Sequence, residues 1–379
     1  MAYGDGIVDG PTPLGYGPVR GGAMGRRIGI LTGGGDAPGL NAVIRAFVKR
    51  ATAGGIDVIG VEESFNGLLD KPCRLVPLDG QNARGLLHRG GTLLGTTNSG
   101  DPFAWPVNGG TVDRSAELAA AVTAEGFEGL VVLGGDGTMK IAVRLAREHG
   151  IRFIGVPKTI DNDLSATDVT FGFQTAVDVA SEALDRLHTT AESHRRVMLL
   201  EVMGRDVGHI ALSAGIAGGA DVILIPEIPY DPERVAAALR ARYARGRRFA
   251  VVVVAEGALP RTDAELSPQR RKARLRAAGG AANIAMAQLE GRIDAEMRVA
   301  VLGHVQRGGS PTASDRILAT RFGAHAAVLV QEGRWGEIVV LQHGAIGSVA
   351  IDEAAVTRAV DVEGELARTA RAVGIEFGG

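Results

Sequence analysis

The chain has 379 residues, enough for two domains or for one domain with a large insert. Hydrophobic residues make up 45% and aromatic residues only 4%, so the core must be built from Ala, Val, Leu and Ile, as in a parallel sheet covered by helices. A net charge of −2 gives no electrostatic case for nucleic acid or a membrane surface; no apolar run approaches the roughly 20 residues of a membrane helix, and a single cysteine, Cys73, excludes a disulfide within the chain and suits a reducing, cytoplasmic setting.

Residues 1–24 are rich in Gly and Pro and lack the apolar centre of a signal peptide; they read as a flexible extension, or as sequence upstream of an alternative start at Met24. Arg27 to Leu31 is a strand, followed by the glycine turn Gly33-Gly34-Gly35-Asp36-Ala37-Pro38-Gly39 and a helix to about Thr52. That turn suits an anion at a helix start, though it is neither a Walker A loop nor GxGxxG. Ile56 to Val61 is the next strand, Arg89 to Asn98 a second turn rich in glycine and hydroxyls, and Ser115 to Glu125 a helix. Strands at Leu130–Leu133 and Phe153–Val156 follow, separated by a helix. This run of βα units predicts a parallel sheet.

A second series begins with a helix over Thr175–Ala191. Strands are expected at 196–202, 222–225, 249–255 and 297–302, with helices at 209–218, 232–246 and 315–332. They predict a second sheet. Residues 258–297 are charged, Ala-rich and helical in character, and the basic run Gln269 to Arg276 reads as a solvated helix face. A late strand spans 337–342, and helices close the chain near 354–373.

Two loops follow consecutive strands, GGDGT (134–138) and PKTIDNDL (157–164). In an open parallel sheet both reach the same carboxyl edge, where ligands bind, and Asp136, Asp161 and Asp163 converge there. Asp136 is either a helix cap or a Mg²⁺ carboxylate beside nucleotide phosphates. TIDND is either an Asx-type turn or a pair of acids, with Asp161 as the base for an attacking hydroxyl and Asp163 in support. Arg196, Arg205, Arg298 and Arg307 stand at strand boundaries, where arginine forks match phosphate oxygens. Glu256 can accept hydrogen bonds from sugar hydroxyls; His304 has no partner at zinc-ligand spacing.

These motifs, together with FGFQTA (171–176), EVMGRDVGHIAL (201–212), IPE (225–227) and GHVQRGGSPTASDR (303–316), closely resemble those of the 6-phosphofructokinase family, in family order from about Arg27 to Gly336. The resemblance implies two Rossmann-like three-layer α/β/α domains with mainly parallel sheets and an active site in the cleft between them. It divides the chain into a donor domain (25–172 plus about 306–356) and a fructose 6-phosphate domain (173–305 plus about 357–379). It implies ATP as phosphoryl donor with Mg²⁺ at Asp136; Gly34, Gly135, Asp136, Gly137 and Thr138 as the donor site; and Asp161, Lys158, Thr159 and Arg205 as the catalytic set. Fructose 6-phosphate would be bound by Thr159, Ile160, Asp161, Met203, Gly204, Arg205, Glu256, His304 and Arg307. Arg196 and Arg298 would reach into a neighbour's site, making the protein a homodimer or homotetramer with no nucleic-acid or membrane partner.

Donor choice turns on two residues. An aspartate in place of Gly137, typical of pyrophosphate-using relatives, fills the space of an α-phosphate and repels its charge, so Gly137 favours ATP. Lys158 is the residue of the pyrophosphate-dependent type, which stands as the alternative. Steric exclusion is harder to evade than an added favourable charge, so Gly137 carries the greater weight. Thr96-Thr97-Asn98 stand where family ATP enzymes carry an arginine, and Gly80 replaces a basic effector residue although Arg45 and Arg247-Arg248 fit; effector control is expected to be weak or altered.

Overall fold

A computed structural model describes residues 25–354 and 356–379. The extension read at residues 1–24 lies outside the described residues. In chain order the strands are β1 (Arg27–Thr32), β2 (Asp57–Val61), β3 (Leu75–Leu78), β4 (Trp105–Val107), β5 (Gly110–Val112), β6 (Gly129–Gly134) and β7 (Phe153–Pro157). They continue with β8 (Val197–Val202), β9 (Val222–Leu224), β10 (Ala250–Ala255), β11 (Met297–Val301), β12 (Glu337–Gln342) and β13 (Ala345–Ala350). Seven of them form one sheet in the order β13-β12-β7-β6-β1-β2-β3, and four form a second in the order β11-β8-β10-β9. The second sheet is parallel throughout. The first is parallel through its centre, with β3 and β13 antiparallel at its edges. The expected class, α/β with two mainly parallel sheets, is the one observed.

The strands read as unbroken apolar runs because both faces of each sheet are covered. Ile28, Ile30, Val131 and Leu133 pack against the helices Leu40–Ala53 and Ala313–Glu332. Leu31, Leu130 and Val132 face the opposite layer, built from the helices Ser115–Ala124 and Asp136–His149. The second sheet has its own core, centred on Val251 to Val254 and Leu199, with the long helix Phe173–His194 against it.

Three features depart from the sequence-based elements. The run of βα units is interrupted after β2 by antiparallel β3 and by the hairpin β4–β5, whose turn is Asn108-Gly109 with Gly109 at φ 89°, a favoured hairpin pair. Strand β13 pairs back on β12 through His343 and Gly344, both at positive φ (52° and 80°), the geometry of a type I′ turn. The helices expected near 354–373 reduce to Ile351–Ala354 and Glu365–Ala372. Over residues 357–361 the chain is not helical. Arg358, Val360 and Val362 turn inward while Thr357, Ala359 and Asp361 stay exposed, a period of two that a helix cannot satisfy. The helix Pro268–Ala278 buries none of its residues, as expected of a solvated basic face. No helix among the described residues is long and apolar enough to cross a membrane.

The helices Leu40–Ala53 and Ala313–Glu332 meet at Gly323, where a Cβ would lie 2.3 Å from the Val43 carbonyl oxygen and 3.0 Å from the Ala46 methyl. Alanine is worth about 1 kcal/mol over glycine within a helix, but here it forces two backbones apart, at about 1–3 kcal/mol. Gly323→Ala is therefore expected to lower stability despite its better helix propensity; denaturant melts giving a midpoint at or above that of the wild type would contradict this packing.

Candidate active site

The donor loop follows β1. Gly33 N–H donates to the Leu133 carbonyl (2.8 Å) and Gly34 N–H to that of Thr97 (3.0 Å), while Thr96 Oγ1 donates to the Gly34 carbonyl (2.6 Å). The Thr96-Thr97 turn thus braces this loop. Glycine is required here: Gly34 sits at φ 77°, and a Cβ on Gly33 would meet the Thr138 side chain at 2.7 Å. Thr138 is buried against Gly33 and Gly134. Gly135 precedes the helix Asp136–His149, leaving that helix's first amides directed at the strand end. Around Gly137 an added Cβ would meet nothing within 4 Å.

The adjoining strand β7 delivers the acceptor loop. Its register beside β6 pairs Gly134 with Pro157, which puts GGDGT and PKTIDND at one edge. Lys158 is 4% exposed, and its Nζ donates to the Gly35 carbonyl. Burial pushes its pKa down to about 8, helped by the Arg307 charge and opposed by Asp36, Asp161 and Asp163. Asp161 N–H donates to Thr159 Oγ1 (3.1 Å). Its carboxyl pKa is raised to about 6, first by burial and then by the neighbouring Asp163 charge; Arg307 and Arg205 oppose the shift and Glu256 adds to it. Asp161 and Asp163 each keep one buried carboxylate oxygen without a partner. A desolvated acid with a free oxygen is what a general base requires.

The facing wall comes from the second sheet. Met203-Gly204-Arg205 follow β8, Glu256 ends β10, and His304 to Arg307 follow β11. Gly204 is held at φ 130°, and a Cβ on Gly257 would lie 1.8 Å from the Arg205 carbonyl oxygen, so these turns close tightly on each other. Arg307 reaches across, with Nη1 donating to the Asp36 carbonyl of the donor loop (2.9 Å). His304 is exposed at the rim.

Not every expected residue arrives. Ile160 is fully buried in the core of the second sheet, which leaves only its main chain for a ligand. Arg196 and Arg298 lie at the starts of β8 and β11, the opposite end from Met203 and His304. There Glu296 pairs with Arg196 Nε (2.5 Å) and with Arg298. They are not brought to this chain's own site. Asp161 and Asp163 come together, but Asp136 faces Lys140 (2.7 Å), and among the described residues no three Asp, Glu, His or Cys form a metal cluster. One Asp136 oxygen is nonetheless buried and unpartnered. That fits a magnesium ion held by a single carboxylate and completed by substrate phosphates.

Several residues that hold the site went unread in the sequence. Buried Gln306 accepts from Met203 N–H (2.6 Å) and donates to the Ala176 carbonyl (3.0 Å). Buried Asp315 accepts from the amide and hydroxyl of Thr175 (2.8 and 2.5 Å). Thr170 Oγ1 donates to the Thr159 carbonyl (2.7 Å). Gln306 and Asp315 both lie within the recognised motif at 303–316, and Thr170 directly precedes the motif at 171–176, but nothing in the sequence said which distant groups they meet.

Comparison with known proteins gives the family. The family model described as phosphofructokinase matches residues 27–330. Curated relatives include ATP-dependent 6-phosphofructokinase 1 of Synechocystis sp., 47% identical over 356 residues, covering 93% of this chain and 98% of its own. Another is the ATP-dependent 6-phosphofructokinase of Chloroflexus aggregans, 50% identical over 357 residues, with 93% and 98% covered. Among solved structures, phosphofructokinase from Saccharomyces cerevisiae aligns with a TM-score of 0.73 at 32% identity, over 87% of this chain and 45% of the yeast chain. A pyrophosphate-dependent phosphofructokinase from Nitrosospira multiformis aligns with a TM-score of 0.78 at 19% identity, over 93% and 92% of the two chains; that likeness is one of fold. The chain belongs to the phosphofructokinase family.

The raised Asp161 pKa also bears on stability. The folded state holds this proton more tightly than the unfolded state, so the contribution is complete below about pH 4 and is lost as pH rises through about 6. At pH 8 the ionised carboxylate costs at most about 3 kcal/mol. Asp161→Asn removes that cost but also removes a favourable neighbour of Lys158, so the gain is a fraction of it. The variant is expected to melt above the wild type at pH 8, with the difference shrinking towards pH 4; a variant less stable at pH 8 would contradict the burial of an ionised Asp161.

Proposed function

We propose that this chain transfers the γ-phosphoryl group of ATP to the 1-hydroxyl of fructose 6-phosphate, giving fructose 1,6-bisphosphate and ADP, in the cytoplasm. The observation that carries the reading is Asp161. It is a desolvated carboxylate with an unpartnered oxygen, beside the cations Arg205 and Arg307 and against the donor loop. The curated relatives named above are ATP-dependent 6-phosphofructokinases over nearly their whole length.

In this reading Asp161 takes the proton of the 1-hydroxyl as its oxygen attacks the γ-phosphorus. The bond from that phosphorus to the β–γ bridging oxygen breaks, and ADP leaves. Thr159 fixes the Asp161 amide, while Lys158 and Arg205 offset charge on the transferring group. Met203, Gly204, Glu256 and the main chain of Ile160 bind the sugar, with His304 and Arg307 on its 6-phosphate. Gly34, Gly135, Gly137 and Thr138 shape the donor site. Magnesium, when bound through Asp136, supplies charge neutralisation on the donor phosphates.

ATP is the donor we favour, because the space beside Gly137 is open. Lys158 is engaged with the Gly35 carbonyl, a position from which it serves the donor loop with either donor. A pyrophosphate-dependent transfer is the second reading, favoured by Lys158 itself. We further propose the division into 25–172 with 306–356 and 173–305 with 357–379, supported by the two sheets and their separate cores. We also propose a homodimer or homotetramer in which Arg196 and Arg298 serve the neighbouring site, supported by their place at the far strand ends.

Purified protein is expected to phosphorylate fructose 6-phosphate with ATP and Mg²⁺; turnover with pyrophosphate and none with ATP would overturn the donor assignment. Asp161→Asn should lower kcat by about 10²–10⁴-fold with little change in KM for the sugar phosphate, and near-normal turnover would remove the base. Its wild-type counterpart should show kcat/KM rising with an apparent pKa near 6. Gly137→Asp, whose Cβ would meet nothing within 4 Å, should raise KM for ATP sharply; unchanged ATP kinetics would refute the steric basis of donor choice.

A further inference from the structure

The loop that carries Asp161 does not hold its shape by itself. At Asn162 the backbone turns through φ 56°, a left-handed conformation that asparagine tolerates but that the surroundings must secure. On the inner side Asn162 Oδ1 accepts from Thr170 N–H (3.0 Å). On the outer side the loop is closed by one residue from the other end of the chain. Arg358 Nη1 donates to the Thr167 carbonyl (2.9 Å), and its Nη2 donates to the carbonyls of Asn162 (3.0 Å) and Asp168 (3.1 Å). Its own N–H donates to the Asp163 carbonyl (2.7 Å). Four main-chain carbonyls of the segment 162–168 thus converge on Arg358, and the side chain leaves its Nε buried without a partner to reach them.

The same residue is anchored on the other side of the cleft. The Arg358 carbonyl accepts from His209 Nε2 (3.1 Å); a carbonyl can only accept, so the imidazole carries its proton on that nitrogen. Val360 N–H donates to Glu227 Oε1 (2.8 Å), and Glu227 also accepts from Gly208 N–H (3.0 Å). Thr357 pairs antiparallel with Leu164, and Ser165 N–H donates to the Val356 carbonyl (3.0 Å). Residues 356–360 therefore form a strap between the acceptor loop of the first sheet and the turn after β8, which bears Met203-Gly204-Arg205.

We propose that Arg358 is a positioning residue for phosphoryl transfer: through the strap it fixes the loop holding Asp161 against the wall that holds the sugar phosphate, without touching either substrate. This rests on the reading of Asp161 as base. The planar fork reaches three carbonyls from two separate nitrogens; a lysine ammonium keeps the charge but gathers its donors at one compact point with a different reach. A base displaced by about 1 Å is expected to lose on the order of 10²-fold in rate, with sugar-phosphate binding, which draws most of its contacts from Met203, Gly204, Glu256, His304 and Arg307 on the other wall, less affected.

The test uses the full chain with Arg358→Lys and Arg358→Gln, read by steady-state kinetics and by amide hydrogen exchange. Expected is a fall in kcat of about 10–10²-fold in both, with KM for fructose 6-phosphate close to wild type. Faster exchange should be confined to residues 159–170, with β8 as protected as before. A kcat near wild type overturns the proposal, as does a loop that stays protected. A rise in KM at unchanged kcat assigns Arg358 to binding and overturns it too, and exchange that quickens evenly along the chain reduces Arg358 to general stability. If Arg358→Gln does not fold, the lysine variant decides. Should the wild type show no turnover on fructose 6-phosphate, it is the assigned reaction that fails, and exchange at 159–170 still judges Arg358.

Discussion

A buried ammonium group sits where the chain's two glycine-rich edges meet. Lys158 has lost its water to the packing of the donor loop and the acceptor loop, and it replaces that water with one carbonyl, that of Gly35. An isolated charge in such a place is strongly disfavoured. It is tolerable because Asp36, Asp161 and Asp163 surround it, and those acids are tolerable because Lys158, Arg205 and Arg307 surround them. The positions of β1, β6 and β7 follow from this, since only adjacent parallel strands in this register put all these groups at one edge.

The cost of that arrangement falls on the pKa values of its members. Lys158 is driven down and Asp161 up, each chiefly by burial, so two groups that are ordinarily far apart in pKa are drawn towards neutral pH. A carboxylate that is half-inclined to hold a proton near pH 6 is a better acceptor for a hydroxyl proton than a solvated one. Glycine contributes by what it omits: at Gly34 and Gly204 a conformation that other residues avoid, at Gly137 an unfilled space.

The second sheet faces the loops of the first across the cleft, and the join between them depends on a few buried polar residues. Gln306 ties the Met203 turn to the helix Phe173–His194, Asp315 ties that helix to the start of Ala313–Glu332, and residues 356–360 tie the acceptor loop to the turn after β8. Each spans more than a hundred residues of sequence. Such links are satisfied only when both sheets are in place, which makes the site a property of the whole chain and not of either half.

How much of this was legible in the sequence follows from the range of each interaction. Apolar runs and glycine turns are local, so the central strands of both sheets, the two acidic loops, and the positions of the motif residues Asp136, Lys158, Asp161, Met203-Gly204-Arg205, Glu256, His304 and Arg307 at strand ends could be read directly. The hairpins at Asn108-Gly109 and His343-Gly344 carried turn signals that were weaker than the βα rhythm around them. The closing segment reads as helical throughout, whereas Val360 is buried and Arg358 and Val362 partly buried on a period of two. What only the tertiary structure decided is where side chains point and which distant groups they meet. It decided that Ile160 faces the core, that Asp136 pairs with Lys140, that Glu296 pairs with both Arg196 and Arg298, and that Arg358 closes the loop 162–168. A residue's type fixes what bonds it can make; burial and long-range pairing fix which of them it does make, and these are set by the packing of the entire chain.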